Sequence, residues 1–347
     1  MSFYQRILIL VFLFGLIFSL GCLSPSQEKQ SGLHSLETFR IKSEEIRETF
    51  TINKLQSSPN AGKIWSLANE SAEFSPRSRH VTVVYNNKLW VIGGTDAYKK
   101  NEVWYSSDGI IWKLANSSPP FSPRILFTSV VFRDRIWVIA GEGEDDEEKD
   151  VWYSTDGVIW NLANASAGFG RRSGHSSVVF NNRIWVIGGS GRYLTNEVWS
   201  SDDGVIWNLV NASAAFPKRA EHMSVVYNDK MWIIGGWWNG SPRNDIWYSS
   251  DGDNWEQATD SAAFTPRVEF GIVVYDNRMW VIGGTPKKND IWYSSDGKEW
   301  IPANESAAFM PRHGLSSAVF KDKIWVIGGM KGWYSNLDKL NDVWYSS

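Results

Sequence analysis

The chain has 347 residues, a formal net charge of −3, 43% hydrophobic residues and 21% charged residues, a globular composition with room for one large domain or two small ones. The near-neutral balance excludes the basic excess of a dedicated nucleic-acid binder. A single cysteine excludes an intrachain disulfide framework and a cysteine-built zinc site, while 21 tryptophans demand an architectural cause.

Residues 1–22 carry one charged side chain, Arg6, and an apolar run from Ile7 to Leu20 broken only by Gly15 and Ser19. That run is short for a spanning helix and suits the core of a signal peptide. It ends in Ser19-Leu20-Gly21-Cys22, which resembles a bacterial lipoprotein signal, where cleavage ahead of the cysteine exposes a residue that is then acylated. Ser19 departs from the common pattern, which has Leu there. The resemblance implies a lipid anchor at Cys22 and a place on the cell envelope, bound to a membrane but otherwise soluble; plain secretion is the alternative. Residues 23–62 are polar and read as a tether with one short helix around Leu36–Phe50.

From Trp65 onward the chain repeats. Ile-Gly-Gly, or Ile139-Ala140-Gly141, occurs six times, with its first small residue at Gly93, Ala140, Gly188, Gly235, Gly283 and Gly328, at intervals of 45–48 residues. A period of this length with several short strands per unit belongs to a propeller. In the third unit, Ser176–Phe180 reads as a first strand and Asn181-Asn182 as a two-residue turn, since Asn tolerates positive φ. Arg183–Ile187 reads as a second strand ended by Gly188-Gly189, Glu197–Ser200 as a third, and Val205–Leu209 as a fourth after the Asp203-Gly204 turn.

An Arg ahead of the first strand, Gly-Gly after the second, an aromatic residue in the second and Trp in the third resemble the kelch family, over residues 63–347. The second-strand aromatic is Trp where Tyr is more usual, and the third-to-fourth turn, as in Ser106–Trp112, looks like a shortened Asp-box. The expected fold is all-β: a six-bladed propeller of four-stranded blades. Its tryptophans fall in three columns of six: Trp90, Trp137, Trp185, Trp232, Trp280 and Trp325 on second strands; Trp104, Trp152, Trp199, Trp247, Trp292 and Trp344 on third strands; Trp65, Trp112, Trp160, Trp207, Trp255 and Trp300 on fourth strands. Each ring can bury roughly 150–250 Å² between blades, and all eighteen are assigned to the core. The last blade stops after its third strand at Trp344, whereas Ile64–Asn69 matches a fourth strand without a blade before it. The N-terminal strand should therefore complete the last blade and close the ring.

Strand alternation puts the 2–3 and 4–1 loops on one face and the short 1–2 and 3–4 turns on the other. Function gathers where loops vary, which selects the first face. Its 2–3 loops hold the tryptophans outside the columns, Trp237, Trp238 and Trp333, with Tyr98, Tyr193 and Tyr334. The shortest loop, on blade five, carries Lys287 and Lys288. Trp237, Trp238, Trp333, Tyr334, Lys287, Lys288, Arg267 and Arg312 form the expected ligand site, a groove over blades four to six suited to an acidic saccharide or acidic peptide. The alternative is that the loop rings fold down as loop cores.

Arg267 and Arg312 belong to a column completed by Arg77, Arg124, Arg172 and Arg219, matched by an acid column of Glu102, Asp150, Glu197, Asp245, Asp290 and Asp342. In kelch proteins that bind peptides, arginines so placed can contact acidic ligands; mutual pairing is the other reading. His80, His175 and His222 share one repeat position and are expected to hydrogen-bond within their blades, with His313 nearby; no metal is expected. Glu142–Asp150 reads as a solvated charge run, and Asn-x-Ser at Asn69, Asn116, Asn164, Asn211 and Asn304 as turn furniture of the repeat.

The expected function is a non-catalytic binding or scaffold propeller that presents its loop face to a protein or glycan, as a monomer, without cofactor or catalytic residue. The alternative is a carbohydrate-active enzyme similar to a sialic-acid mutarotase, using Glu221 or Glu269 beside Arg219 or Arg267. Galactose oxidase chemistry, known among kelch-type propellers, needs a cysteine within the propeller, and none is present.

Overall fold

The computed structural model describes residues 60–332 and 338–347. Cys22, the signal and tether segments before residue 60, and the site candidates Trp333 and Tyr334 lie outside the described residues. The strands assemble into six four-stranded antiparallel sheets. Strand β1 (Ser66–Asn69) comes first and belongs to the last blade. Blade one is β2 (Val81–Tyr85), β3 (Lys88–Thr95), β4 (Lys99–Ser106) and β5 (Lys113–Asn116). Blade two is β6 (Thr128–Phe132), β7 (Arg135–Glu142), β8 (Glu147–Ser154) and β9 (Asn161–Asn164). Blade three is β10 (Ser176–Phe180), β11 (Arg183–Ser190), β12 (Leu194–Ser201) and β13 (Asn208–Asn211). Blade four is β14 (Met223–Tyr227), β15 (Lys230–Trp238), β16 (Ser241–Ser249) and β17 (Glu256–Thr259). Blade five is β18 (Gly271–Tyr275), β19 (Arg278–Gly284), β20 (Lys288–Ser294) and β21 (Ile301–Asn304). Blade six is β22 (Ser316–Phe320), β23 (Lys323–Met330), β24 (Lys339–Ser346) and, from the other end of the chain, β1.

The closure is as expected. Leu67 of β1 pairs with Trp344 of β24, antiparallel. Ahead of β1, Gly62 donates its backbone N–H to the Ser346 hydroxyl, and Trp65 meets Phe309 edge-on at 5.0 Å, the same packing that joins Trp112 to Phe74 in blade one. An N-terminal strand thus removes the open edge that a terminal blade would expose.

Several strand boundaries differ from expectation; the third strand, read as Glu197–Ser200, runs over Leu194–Ser201. The Gly-Gly pair does not end the second strand. Gly188 and Gly189 take φ of 58° and 102°, make a bulge, and the strand runs on to Ser190. The fourth strand starts at Asn208 rather than Val205, because Val205 and Ile206 donate their backbone N–H groups to Asp203 within the turn. Asn181 and Asn182 do take the left-handed conformation of a tight hairpin, with φ of 48° and 57°.

The core lies between blades as apolar clusters shared by neighbours; that of blades two and three joins Phe132, Trp137 and Val151 to Ile184, Val186 and Trp207. Each 3–4 turn is pressed against the preceding blade. A Cβ on Gly157 would stand 2.0 Å from the Trp90 ring, and the same holds for Gly204 on Trp137 and Gly109 on Trp325. The second-strand tryptophans are buried, and so are those expected on the fourth strands, which the structure places one residue ahead of them, as Trp207 ahead of β13. The third-strand column is only half-buried, and each of its indole N–H groups is held by an acid two residues earlier, as Trp104 by Glu102. The asparagines that end the fourth strands stitch blades together: Asn116 accepts from Ser118 N–H and donates to the Val158 carbonyl of the next blade.

Candidate functional site

The arginine column sits inside the blades. Arg77 donates to the Gly93 carbonyl at 3.0 Å and to Glu102 at 2.7 Å, and every other blade repeats this clamp between strands. Arg267 and Arg312, expected at the ligand face, are 0% exposed. Arg267 grips Asp290 with two hydrogen bonds and Arg312 grips Asp342 likewise. Their charges are spent inside the fold, so they are withdrawn from the ligand site. Burial alone would raise the carboxyls of Glu102 and Asp290, but the hydrogen bonds from Arg77 and Arg267 hold both below the ordinary range.

The histidines bond between blades rather than within them. His80 meets Ser316 at 2.7 Å, His175 meets Thr128 at 2.9 Å and His222 meets Ser176 at 2.8 Å, each on the preceding blade. Local sequence cannot reveal such a partner. Burial, with the nearby clamp arginine second, drives His80 and His175 down to about 3 and His222 well below its usual value, so all three are neutral. Among the described residues no set of three or more His, Cys, Asp or Glu converges as metal ligands.

The first strands surround a cavity of about 260 Å³ on the propeller axis. Its mouth on the loop face is a collar made by the residue two places after each clamp arginine: Arg79, Leu126, Gly174, Glu221, Glu269 and Gly314. All six are left-handed, with φ between 52° and 60°. Backbone hydrogen bonds run round the collar, from Arg79 N–H to Gly314 O, Gly314 N–H to Glu269 O, Glu221 N–H to Gly174 O and Gly174 N–H to Leu126 O. Arg79 reaches past blade six to pair with Glu269 on blade five, whose other oxygen meets His313 Nδ1. Burial would raise the Glu269 carboxyl, but His313 and Arg79 hold it low. The Glu221 carboxyl takes no hydrogen bond among the described residues; burial first, then the neighbouring Glu269, raises it to about 7. Sequence reasoning missed this collar as a unit. The signal was Gly174 and Gly314 in the same repeat column, which marks a left-handed position.

Among the described residues, none of the expected groove residues lines this cavity. Trp237 and Trp238 extend the β15–β16 hairpin, paired with Pro242 and Ser241. Trp237 is 39% exposed, while Trp238 is half-buried under the Arg243 guanidinium, 4.4 Å from its ring centre. Lys287 is exposed and Lys288 half-buried. Tyr98 and Tyr193 stand out further, at 78% and 74% exposure, on the 2–3 loops of blades one and three. The acidic run is partly engaged, through Glu142 with Lys99 and Asp146 with Arg171.

The family model described as the KLHDC2/KLHL20/DRC7 Kelch-repeats domain matches residues 47–236 and 127–329 of the chain. No curated protein matches the sequence.

Proposed function

This chain belongs to the KLHDC2/KLHL20/DRC7 Kelch-repeats family, and from that premise we propose that it is a non-catalytic propeller that binds a protein partner through its 2–3 and 4–1 loop face. Kelch propellers are in general protein-binding scaffolds, and the family is typically non-enzymatic. The observation that carries the reading is exposed aromatic surface on that face: Tyr98, Tyr193 and Trp237, the residue types that anchor protein interfaces. A glycan is the weaker choice of ligand, because Arg243 already covers one face of Trp238. Sugar mutarotation loses its proposed helpers, since Arg219 is locked to Asp245 and Arg267 to Asp290. We place the protein on the cell envelope, acylated at Cys22; intact mass of the membrane-fraction protein tests that, and an unmodified terminus elsewhere than Cys22 overturns it.

The experiment is co-purification of the tagged full chain from its own cells, wild type beside a Tyr193→Ala/Trp237→Ala variant. A specific partner should be depleted at least about fivefold from the variant, with the melting temperature within about 2 °C, because these rings stand outside the blade core. Equal recovery of every co-purifying protein refutes the loop face as the binding surface.

A further inference from the structure

Charged side chains stand on the collar at a conformational cost. Two of its six positions use Gly174 and Gly314, whereas Arg79, Glu221 and Glu269 hold left-handed φ of 56°, 56° and 53° without being glycine, a conformation that L side chains adopt only against steric resistance. Arg79 and Glu269 cancel each other. Among the described residues, Glu221 is the collar charge that no ion pair engages. Four charged or titratable groups act on it from other blades: Glu269, Arg79, His313 and Glu142. The cavity is also lined by hydroxyls, and two of these, the Oγ atoms of Ser129 and Ser224, are buried with no hydrogen-bond partner among the described residues. Leu126, on the collar itself, and Phe270 and Leu315 supply the apolar part of the lining.

We propose that this axial cavity binds a primary alkylammonium, such as the side-chain head of a lysine on the protein partner, with the Glu221 carboxylate as its counter-ion. An ammonium has three donors and no acceptor, which matches a carboxylate and two unfilled hydroxyl acceptors. A slender methylene stem suits the apolar wall. An anionic group would meet Glu221 and Glu269 at the mouth, with Arg79 already paired. Near neutral pH the entering cation displaces the Glu221 proton to solvent, so affinity rises with pH. The inference rests on the loop face being the partner-binding face, but its chemistry is tested without a partner.

The probe is n-butylammonium, titrated calorimetrically into the full chain, with n-butyrate as the control. Saturable binding is expected at pH 8, with proton release visible as a dependence on buffer ionisation enthalpy. Affinity should fall more than about tenfold at pH 5.5, and Glu221→Gln should lower it more than about tenfold at pH 8. Should Glu221→Gln misfold, Ser224→Ala is the second variant, expected to weaken binding several-fold. Undiminished affinity in a folded Glu221→Gln variant, tighter binding of butyrate, or no saturable binding at pH 8 overturns the proposal. Butylammonium binding that survives while the Tyr193→Ala/Trp237→Ala variant keeps every partner would retain the cavity site and discard the loop-face reading.

Discussion

His80, His175 and His222 are held neutral in the joints between blades, while an unfolded chain protonates them near the usual value of 6.5. A depressed folded value means that their contribution is fully present above pH 6.5 and is lost as pH falls below it, towards about 3 for His80 and His175. His175→Gln should therefore flatten the acid limb of a stability–pH profile; an unchanged limb would show that the ring is not kept neutral. Glu221 has the opposite sign. Its carboxyl is raised from 4.5 to about 7, so the native state binds its proton more tightly, and stability falls as pH rises through 4.5 to 7. Glu221→Gln should melt higher than wild type at pH 8 and match it near pH 5. The clamp arginines act through burial. Arg219→Ala leaves Asp245 buried without its partner and should cost about 3–5 kcal/mol by urea denaturation; a loss under about 1 kcal/mol would mean that the clamp is ornamental.

Among the elements, the 3–4 turn is the tightest joint. Gly157 has φ of 75° and no room for a Cβ beside Trp90, whereas Gly170, with φ of 72°, has nothing within 4 Å. Gly157→Ala should cost about 3 kcal/mol or more, and Gly170→Ala only about 1 kcal/mol of backbone strain; equal losses would contradict the turn-on-tryptophan packing. Closure by β1 makes a second prediction. Removing residues 1–72 should lower the melting temperature sharply by opening the edge of β24, and removing residues 1–55 should not; coincident melts would contradict closure. Blade number, strand count and closure were legible because each rests on a pattern repeated six times. The β13 boundary was not, because Asp203 captures Val205 and Ile206 in a turn that apolar periodicity alone reads as strand. The histidine contacts are not legible locally because the partners lie on another blade, 46 residues away for His222, 47 for His175 and 236 for His80. Arg267 and Arg312 were offered to a ligand because sequence cannot show that a charge already has a buried partner. The collar, the least legible feature, mixes Gly, Leu, Arg and Glu in one column, and only the shared left-handed backbone unites them.

At the scale of the whole molecule, sixfold repetition spends its regular columns on holding blades together. Trp, Arg and acid columns are engaged inside the fold, and the Asn column ties neighbouring blades. In the proposed function, recognition falls to what breaks the symmetry: the exposed rings Tyr98, Tyr193 and Trp237 above, and the Glu221 carboxyl at the axis, which no ion pair engages among the described residues. The opposite face also presents exposed side chains, among them Ile159 at 65% exposure, so exposure alone does not choose between faces. Site-specific photo-crosslinking in the full chain does, with the reactive residue placed at Tyr193, at Trp237 or at Ile159. Tyr193 and Trp237 positions are expected to crosslink to the same protein, excess butylammonium to reduce both adducts, and the Ile159 position to yield none of it. Crosslinking of that protein from Ile159 alone would contradict it.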